Sequence, residues 1–229
     1  ARIRLSWLSR FTSGRLEAQV AANPQLSLWM PEASEYVVGD GWRNRDDIAH
    51  IVEVSPRRGR ERLVGALAEK ARSMGFRLLL AADEIRDGDA QLYQRLGFSH
   101  VERIVFFRKQ LRDGRDLPNP ALLPALEIRR AGAEDIETLL HVDHASFPWL
   151  WWNSRQEFMV YMDMPGVFTN LAYREGQPVG YTAFTLYDDW AHLDRIAVTH
   201  EAQGKGFGGA QLVHALQTMA GSYAGHVAL

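Results

Sequence analysis

Apolar residues in this chain recur with two periods, and the order of those periods sets its organisation. Alternation at every second position marks 167–173 and 179–186 as strands, joined by the turn Glu175-Gly176-Gln177-Pro178, and 190–198 as a third. Helical spacing marks 133–145, with Leu139, Leu140 and Val142 as its apolar positions. It also marks 154–162, where Ser154 is placed to cap the helix, and 207–220, where Leu212, Leu216 and Met219 share a face. A short strand over 126–129 opens this part, and another begins at 226. The first half repeats the succession. An amphipathic stretch over 16–22 leads to strand-like runs, a strand ending at Val54, a basic turn and a helix. A strand over 76–82, a helix over 90–96 and a strand over 99–107 follow.

Between the halves lies Arg112-Asp113-Gly114-Arg115-Asp116-Leu117-Pro118-Asn119-Pro120, with Pro124 just after. Prolines and glycine this dense continue neither a helix nor a central strand, so the chain divides into a first domain over 1–112, a linker over 113–124 and a second domain over 125–229. Ser13, Pro24 and Gly39 recur as Ser154, Pro165 and Gly180 at one constant offset, which makes the halves an internal repeat. The second domain stops soon after Gly209, whereas the first continues through further elements. Either 125–229 is incomplete at its C-terminal end or the two halves complete each other.

Composition narrows the classes. The 229 residues suffice for one large domain or two smaller ones. A net charge of -2 gives no bulk field for nucleic acid or an acidic membrane. No apolar run approaches the roughly 20 residues of a membrane helix. The absence of Cys excludes disulfides, thiolate metal ligands and a cysteine nucleophile, and fits a cytoplasmic protein.

The chemistry concentrates at Gln203-Gly204-Lys205-Gly206-Phe207-Gly208-Gly209, between the strand ending at Val198 and the helix that follows. A glycine-dense turn at a helix N-terminus leaves backbone N–H groups uncovered at a positive end, an arrangement that suits phosphate. It is not a Walker loop, because Gly206 follows Lys205 where Ser or Thr is required. Gly204-x-Gly206-x-x-Gly209 satisfies the dinucleotide fingerprint formally, but the acidic partner and the βαβ context are missing.

Ile196-Ala197-Val198, then Gln203-x-x-Gly206-x-Gly208, then an apolar helix, resembles the acyl-CoA motif of the GNAT (GCN5-related N-acetyltransferase) superfamily. The resemblance covers most of the second half. It implies an α/β (α+β) fold of two tandem GNAT-like domains, each a mixed, mostly antiparallel sheet flanked by helices. It further implies that Ile196, Ala197 and Val198 meet pantetheine, and that Gln203, Gly204, Lys205, Gly206, Phe207, Gly208 and Gly209 meet the pyrophosphate of acetyl-CoA, the cosubstrate. Glycine at 206 and 208 would permit close approach of the backbone. In the first half, Pro56-Arg57-Arg58-Gly59-Arg60-Glu61-Arg62-Leu63 stands at the matching turn, with Glu61 and Leu63 where the later glycines belong. That half therefore resembles a degenerate repeat with a structural role. Tyr93-Gln94-Arg95-Leu96-Gly97-Phe98 resembles the family's later helix-to-strand motif.

The resemblance implies an N-acetyltransferase acting on the amine of a small-molecule or peptide acceptor. Some members carry a general base on the strand before the turn, and that position here is His192. Strand alternation puts His192, Asp194, Ile196 and Val198 on one face, where Asp194 could orient His192 or hold substrate. A hydrogen-bonded strand histidine and a surface aspartate are the plainer alternatives. The family's general acid is a Tyr on a later helix, expected beyond Leu229. Phe147-Pro148-Trp149-Leu150-Trp151-Trp152-Asn153 lies where such enzymes build the acceptor pocket, and serves either that pocket or packing. Asp143 and His144 stand close enough in sequence to reach the acceptor, but with His141 they lack the i, i+4 spacing of a zinc helix, so no metal is expected. A non-catalytic acyl-CoA-binding module and a nucleotide-binding protein are the competing classes.

Overall fold

A computed structural model of the protein describes residues 12–32, 35–55, 59–81, 87–111, 117–222 and 224–229. The chain forms two compact units, Ala1–Glu102 and Arg103–Leu229. In the first, helix α1 (Ser13–Ala22) precedes strands β1 (Ser27–Met30), β2 (Glu35–Gly41) and β3 (Ile48–Val54), then helix α2 (Arg60–Ser73), strand β4 (Leu78–Ala81) and helix α3 (Asp87–Arg95). The sheet order is β1-β2-β3-β4; the first two pairings are antiparallel and β3-β4 is parallel. Alternation along β2 serves both faces. Val37 packs with Leu63, Val64 and Leu67 of α2, while Tyr36 and Val38 pack with Leu16 of α1. The residues 33–34, 56–58 and 112–116, which include Arg57, Arg58 and the first part of the expected linker, lie outside the described residues.

The second unit holds strands β5 (Arg108–Gln110) and β6 (Glu127–Arg130), helices α4 (Ile136–Ser146) and α5 (Arg155–Met162), and strands β7 (Val167–Arg174), β8 (Gln177–Leu186) and β9 (Trp190–Val198). Helix α6 (Phe207–Gly221) and strand β10 (His226–Ala228) complete it. Its sheet runs β5-β10-β9-β8-β7-β6, with β10-β9 the parallel pair. Ser154 caps α5 as expected, its hydroxyl accepting from Glu157 N–H at 3.0 Å. Glu175 and Gly176, with φ of 52° and 76°, form the tight turn between β7 and β8. Leu139, Val142 and Phe158 cover one face of the sheet with Leu171 and Tyr181; Leu216 and Met219 of α6 cover the other with Phe184 and Leu193.

The internal repeat is visible in topology. Strands β1-β2-β3-β4 and β7-β8-β9-β10 share order and direction, a helix precedes each set, and a helix joins the third strand to the fourth. Gly39 and Gly180 both sit on the second strand.

One expected strand is displaced. Residues 99–107 form no strand; Phe107 exchanges both backbone bonds with Leu229, and β5 then pairs antiparallel with β10.

The matching helix start in the first unit is closed from within. Glu35, 4% exposed, accepts from Gly59 N–H at 2.7 Å, where Gly59 caps α2. A carboxylate of the protein thus stands at the positive end of that helix, while Leu63 is core and Glu61 lies outside it. The group that occupies this helix start thus comes from β2, not from Glu61 or Leu63 of the turn itself. Replacing Glu35 by Ala, which removes the acceptor for Gly59 N–H, is expected to destabilise the protein by about 1–3 kcal/mol in urea unfolding; an unchanged midpoint would show that the bond carries no weight.

Candidate active site

Strand β9 is the spine of the site. Thr199 N–H donates to Val179 O, and Ala197 stands in register with Tyr181, so alternate residues turn their backbone groups toward β8. Ile196 and Val198 therefore present theirs to the opposite edge. On that edge β10 pairs with β9 at Trp190, Ala191 and His192. The backbone groups of Ile196 and Val198 lie farther along the same edge, toward the turn that leads to α6. An exposed side chain stands there: Gln203 Nε2 donates to Val198 O at 3.1 Å. Ala197 is differently placed, with its carbonyl accepting from buried Gln211 Nε2 at 3.2 Å.

After β9 the chain makes a short 3-10 turn, His200–Ala202, and reaches α6 through Gly204 and Gly206, with φ of 75° and 81°. These left-handed conformations are the reason for glycine at both positions. Gly206 is the N-terminal boundary residue of α6, and among the described residues no side chain bonds the first turn. The N–H groups of Phe207, Gly208 and Gly209 thus have no partner within the helix and sit at its positive end. Phe207 buries its ring with Ala172, Val179 and Ala202, which fixes the helix start and leaves its backbone outside. The glycines differ in what surrounds them. A Cβ on Gly206 would lie 3.1 Å from Pro124 Cγ, and one on Gly208 would lie 3.5 Å from Val198 Cγ2, an ordinary contact. Gly209 is exposed and would meet only Leu123, at 3.9 Å. Lys205 donates to Glu201 O at 2.9 Å and lines a groove of about 440 Å³ toward the β7–β8 hairpin, with Arg174, Pro178 and Thr199.

A bulge rearranges the middle of β9. Ala183 pairs with Arg195 while Phe184 pairs with Leu193, so Asp194 is an extra residue. Strict alternation is lost, and the expectation that His192, Asp194, Ile196 and Val198 share a face does not hold. Asp194 and Arg195 both turn toward α4 and α5, as their bonds to Tyr161 and Asp143 show, whereas Val198 faces Gly208 of α6.

The bulge assembles a hydrogen-bonded cluster. His192 Nδ1 lies 2.8 Å from Asp194 Oδ1. Asp194 Oδ2 accepts from Tyr161 hydroxyl at 2.6 Å and from Thr185 hydroxyl at 2.8 Å. The bond to Asp194 raises the His192 pKa above 6.5, against the opposing effect of partial burial. Burial, then the Asp194 charge, pushes the Tyr161 hydroxyl up as well, so it remains a donor. Trp190 stands edge-on to His192 and stacks between Tyr187 and His226, forming an aromatic row beside the imidazole. Such a pair, an imidazole steadied by a carboxylate, can take a proton near neutral pH.

The tryptophan-rich loop is tied to this strand by buried ions. Asp143, fully buried, accepts from Tyr181 hydroxyl and from Asn153 N–H at 2.9 Å, and pairs with Arg195 at 2.9 Å. Arg195 also donates to Trp151 O at 2.9 Å and lies 3.9 Å from the Phe147 ring centre. His144 Nε2 is 3.1 Å from Asn153 O, and its ring stacks on Trp152 at 4.4 Å. Asp143 and His144 therefore order the loop; the expectation that they reach an acceptor is replaced by this role. Tyr161 and Thr185 were missed, since nothing in their local sequence signals a reach to Asp194. Among the described residues no helix is long and apolar enough to cross a membrane.

Residues 133–229 match the family described as acetyltransferase (GNAT) family. A GCN5-related N-acetyltransferase from Kribbella flavida is 16% identical over 96% of this chain and 86% of its own, with a TM-score of 0.54. A second from the same organism is 18% identical over 99% of this chain, with a TM-score of 0.57. The ribosomal-protein-S18-alanine N-acetyltransferase from Escherichia coli is 22% identical over 42% of this chain, with a TM-score of 0.37. This chain spans 59% of the length of each of the last two. No curated protein matches. At these identities the two Kribbella structures establish a shared fold across both units.

Proposed function

We propose that this protein transfers an acetyl group from acetyl-CoA to the amine of a small-molecule or peptide acceptor, a reading supported by the match of residues 133–229 to the acetyltransferase (GNAT) family. One observation carries the reading: the edge of β9 turned away from β8, where Ile196 and Val198 present their backbone groups, runs directly into the uncapped start of α6. An extended, amide-bearing arm can pair with that edge as an added strand while its phosphates meet the N–H groups of Gly206, Phe207, Gly208 and Gly209. Gln203 must release Val198 O to admit it, and Lys205 supplies the nearby positive charge.

His192 is the proposed base. With Nδ1 turned to Asp194, Nε2 is left to accept the proton that the amine loses as it attacks the thioester carbonyl. Asp194 is already bonded to three donors, which favours an orienting role over contact with the acceptor. The Cys-free sequence accords with a cytoplasmic location.

Release of free thiol from acetyl-CoA, followed across a panel of amines, tests the reading. Amine-dependent release is expected; binding without turnover on every amine would favour a non-catalytic acyl-CoA module. Gly209→Glu tests the cradle separately, because Gly209 has room for a side chain and needs no unusual backbone. Placing a carboxylate there is expected to lower acetyl-CoA affinity at least about tenfold in calorimetric titration, which corresponds to ~1.4 kcal/mol. Unchanged affinity would move the phosphates elsewhere.

A further inference from the structure

We propose that Tyr161 and Thr185 are positioning residues that fix the tautomer of His192 by clamping Asp194 from the opposite oxygen. The inference rests on reading His192 as the base, and it concerns residues on elements remote in sequence: Tyr161 on α5 and Thr185 on β8.

The geometry assigns each bond a direction. A carboxylate only accepts, so all three partners of Asp194 must donate. Tyr161 and Thr185 both donate to Oδ2, at 2.6 and 2.8 Å, from two different elements. Two donors on one oxygen prevent the carboxylate from turning, and Oδ1 stays 2.8 Å from His192 Nδ1. Nδ1 then carries the proton, and the lone pair lies on Nε2. Asp194 is itself the bulged residue, so the carboxylate leans toward α5 and not along the regular strand direction. Without the clamp, a partly exposed carboxylate is free to turn to water, and the imidazole loses the bond that selects its tautomer.

The other groups around His192 do not supply this selection. Trp190 meets the ring by its edge, His226 lies beyond Trp190 on β10, and Tyr187 stacks on the far side of Trp190. Asp194 is the group bonded to Nδ1, and its charge is the one that holds the imidazolium up.

The test uses Tyr161→Phe, Thr185→Val and the double variant, each close in shape to the parent. Imidazole nitrogen shifts of His192 across a pH titration report tautomer and titration midpoint; kcat and KM against pH report catalysis. In the parent, the Nδ1–H tautomer is expected, and kcat should rise with pH through a midpoint above 6.5, because the base works when neutral. In the double variant the tautomer should shift toward Nε2–H and the midpoint should fall toward 6.5. Its kcat should drop about tenfold, part of what a general base supplies, with KM for acetyl-CoA unchanged. Tyr161→Phe alone should move the same signals in the same direction. Parent-like nitrogen shifts in all three variants would overturn the clamp. A changed tautomer combined with full activity of His192→Ala would leave the clamp standing and overturn His192 as the base.

Discussion

Replacing His192 by alanine should lower acetyl transfer by about 10²- to 10⁴-fold and leave acetyl-CoA affinity unchanged. The split follows from where the residue stands. His192 pairs with Ala228 of β10, ahead of Ile196 and Val198 and away from the glycine turn. Its Nδ1 is committed to Asp194, so removal of the ring costs a proton acceptor and no ligand contact. The pH dependence should change with it. The parent rate rises through a midpoint held above 6.5 by Asp194, and His192→Ala should lose that limb. Steady-state kinetics with calorimetry decide the matter: equal turnover would remove His192 from the chemistry. The same raised pKa contributes to stability below about 6.5, and that contribution is lost as pH rises through the folded value.

Replacing Asp143 by alanine should destabilise the protein by about 3–5 kcal/mol. Its carboxylate is fully buried and answers three donors, one of them the Arg195 guanidinium, itself 9% exposed. Truncation leaves Arg195 charged, buried and unpaired, and frees the Asn153 N–H that holds the end of the tryptophan loop. Urea unfolding measures the cost. Asp143→Leu combined with Arg195→Met should recover much of it, because no lone charge then remains. A loss under about 1 kcal/mol for Asp143→Ala would mean the pair behaves as a surface bridge. Since Arg195 follows the bulged Asp194, loosening this pair should also disturb the cluster around His192.

Much of this architecture was legible because its signals are contiguous. The strand ending at Val198, the glycines at 204 and 206, and the apolar face of α6 follow one another in the chain, and local patterning specifies each. The repeat was legible through Gly39 and Gly180, which occupy equivalent strands. What was not legible depends on partners distant in sequence. The bulge at Asp194 is a property of the pairing with β8, and alternation along β9 alone gives the wrong face for Ile196 and Val198. Tyr161 reaches Asp194 from α5, and Glu35 reaches Gly59 from β2. Residues 99–107 show strand patterning but form no strand, the ladder beginning only with the pairing of Phe107 and Leu229.

The central claim is that the uncapped start of α6 and the backbone groups of Ile196 and Val198 on β9 together hold acyl-CoA. Thermal unfolding with CoA, acetyl-CoA, ATP and NAD in parallel tests it most directly. CoA and acetyl-CoA should raise the midpoint, with roughly 2.7 kcal/mol of added stability at a concentration of 100 Kd, while ATP and NAD leave it in place. No shift with either CoA species, or an equal shift with NAD, would contradict the account.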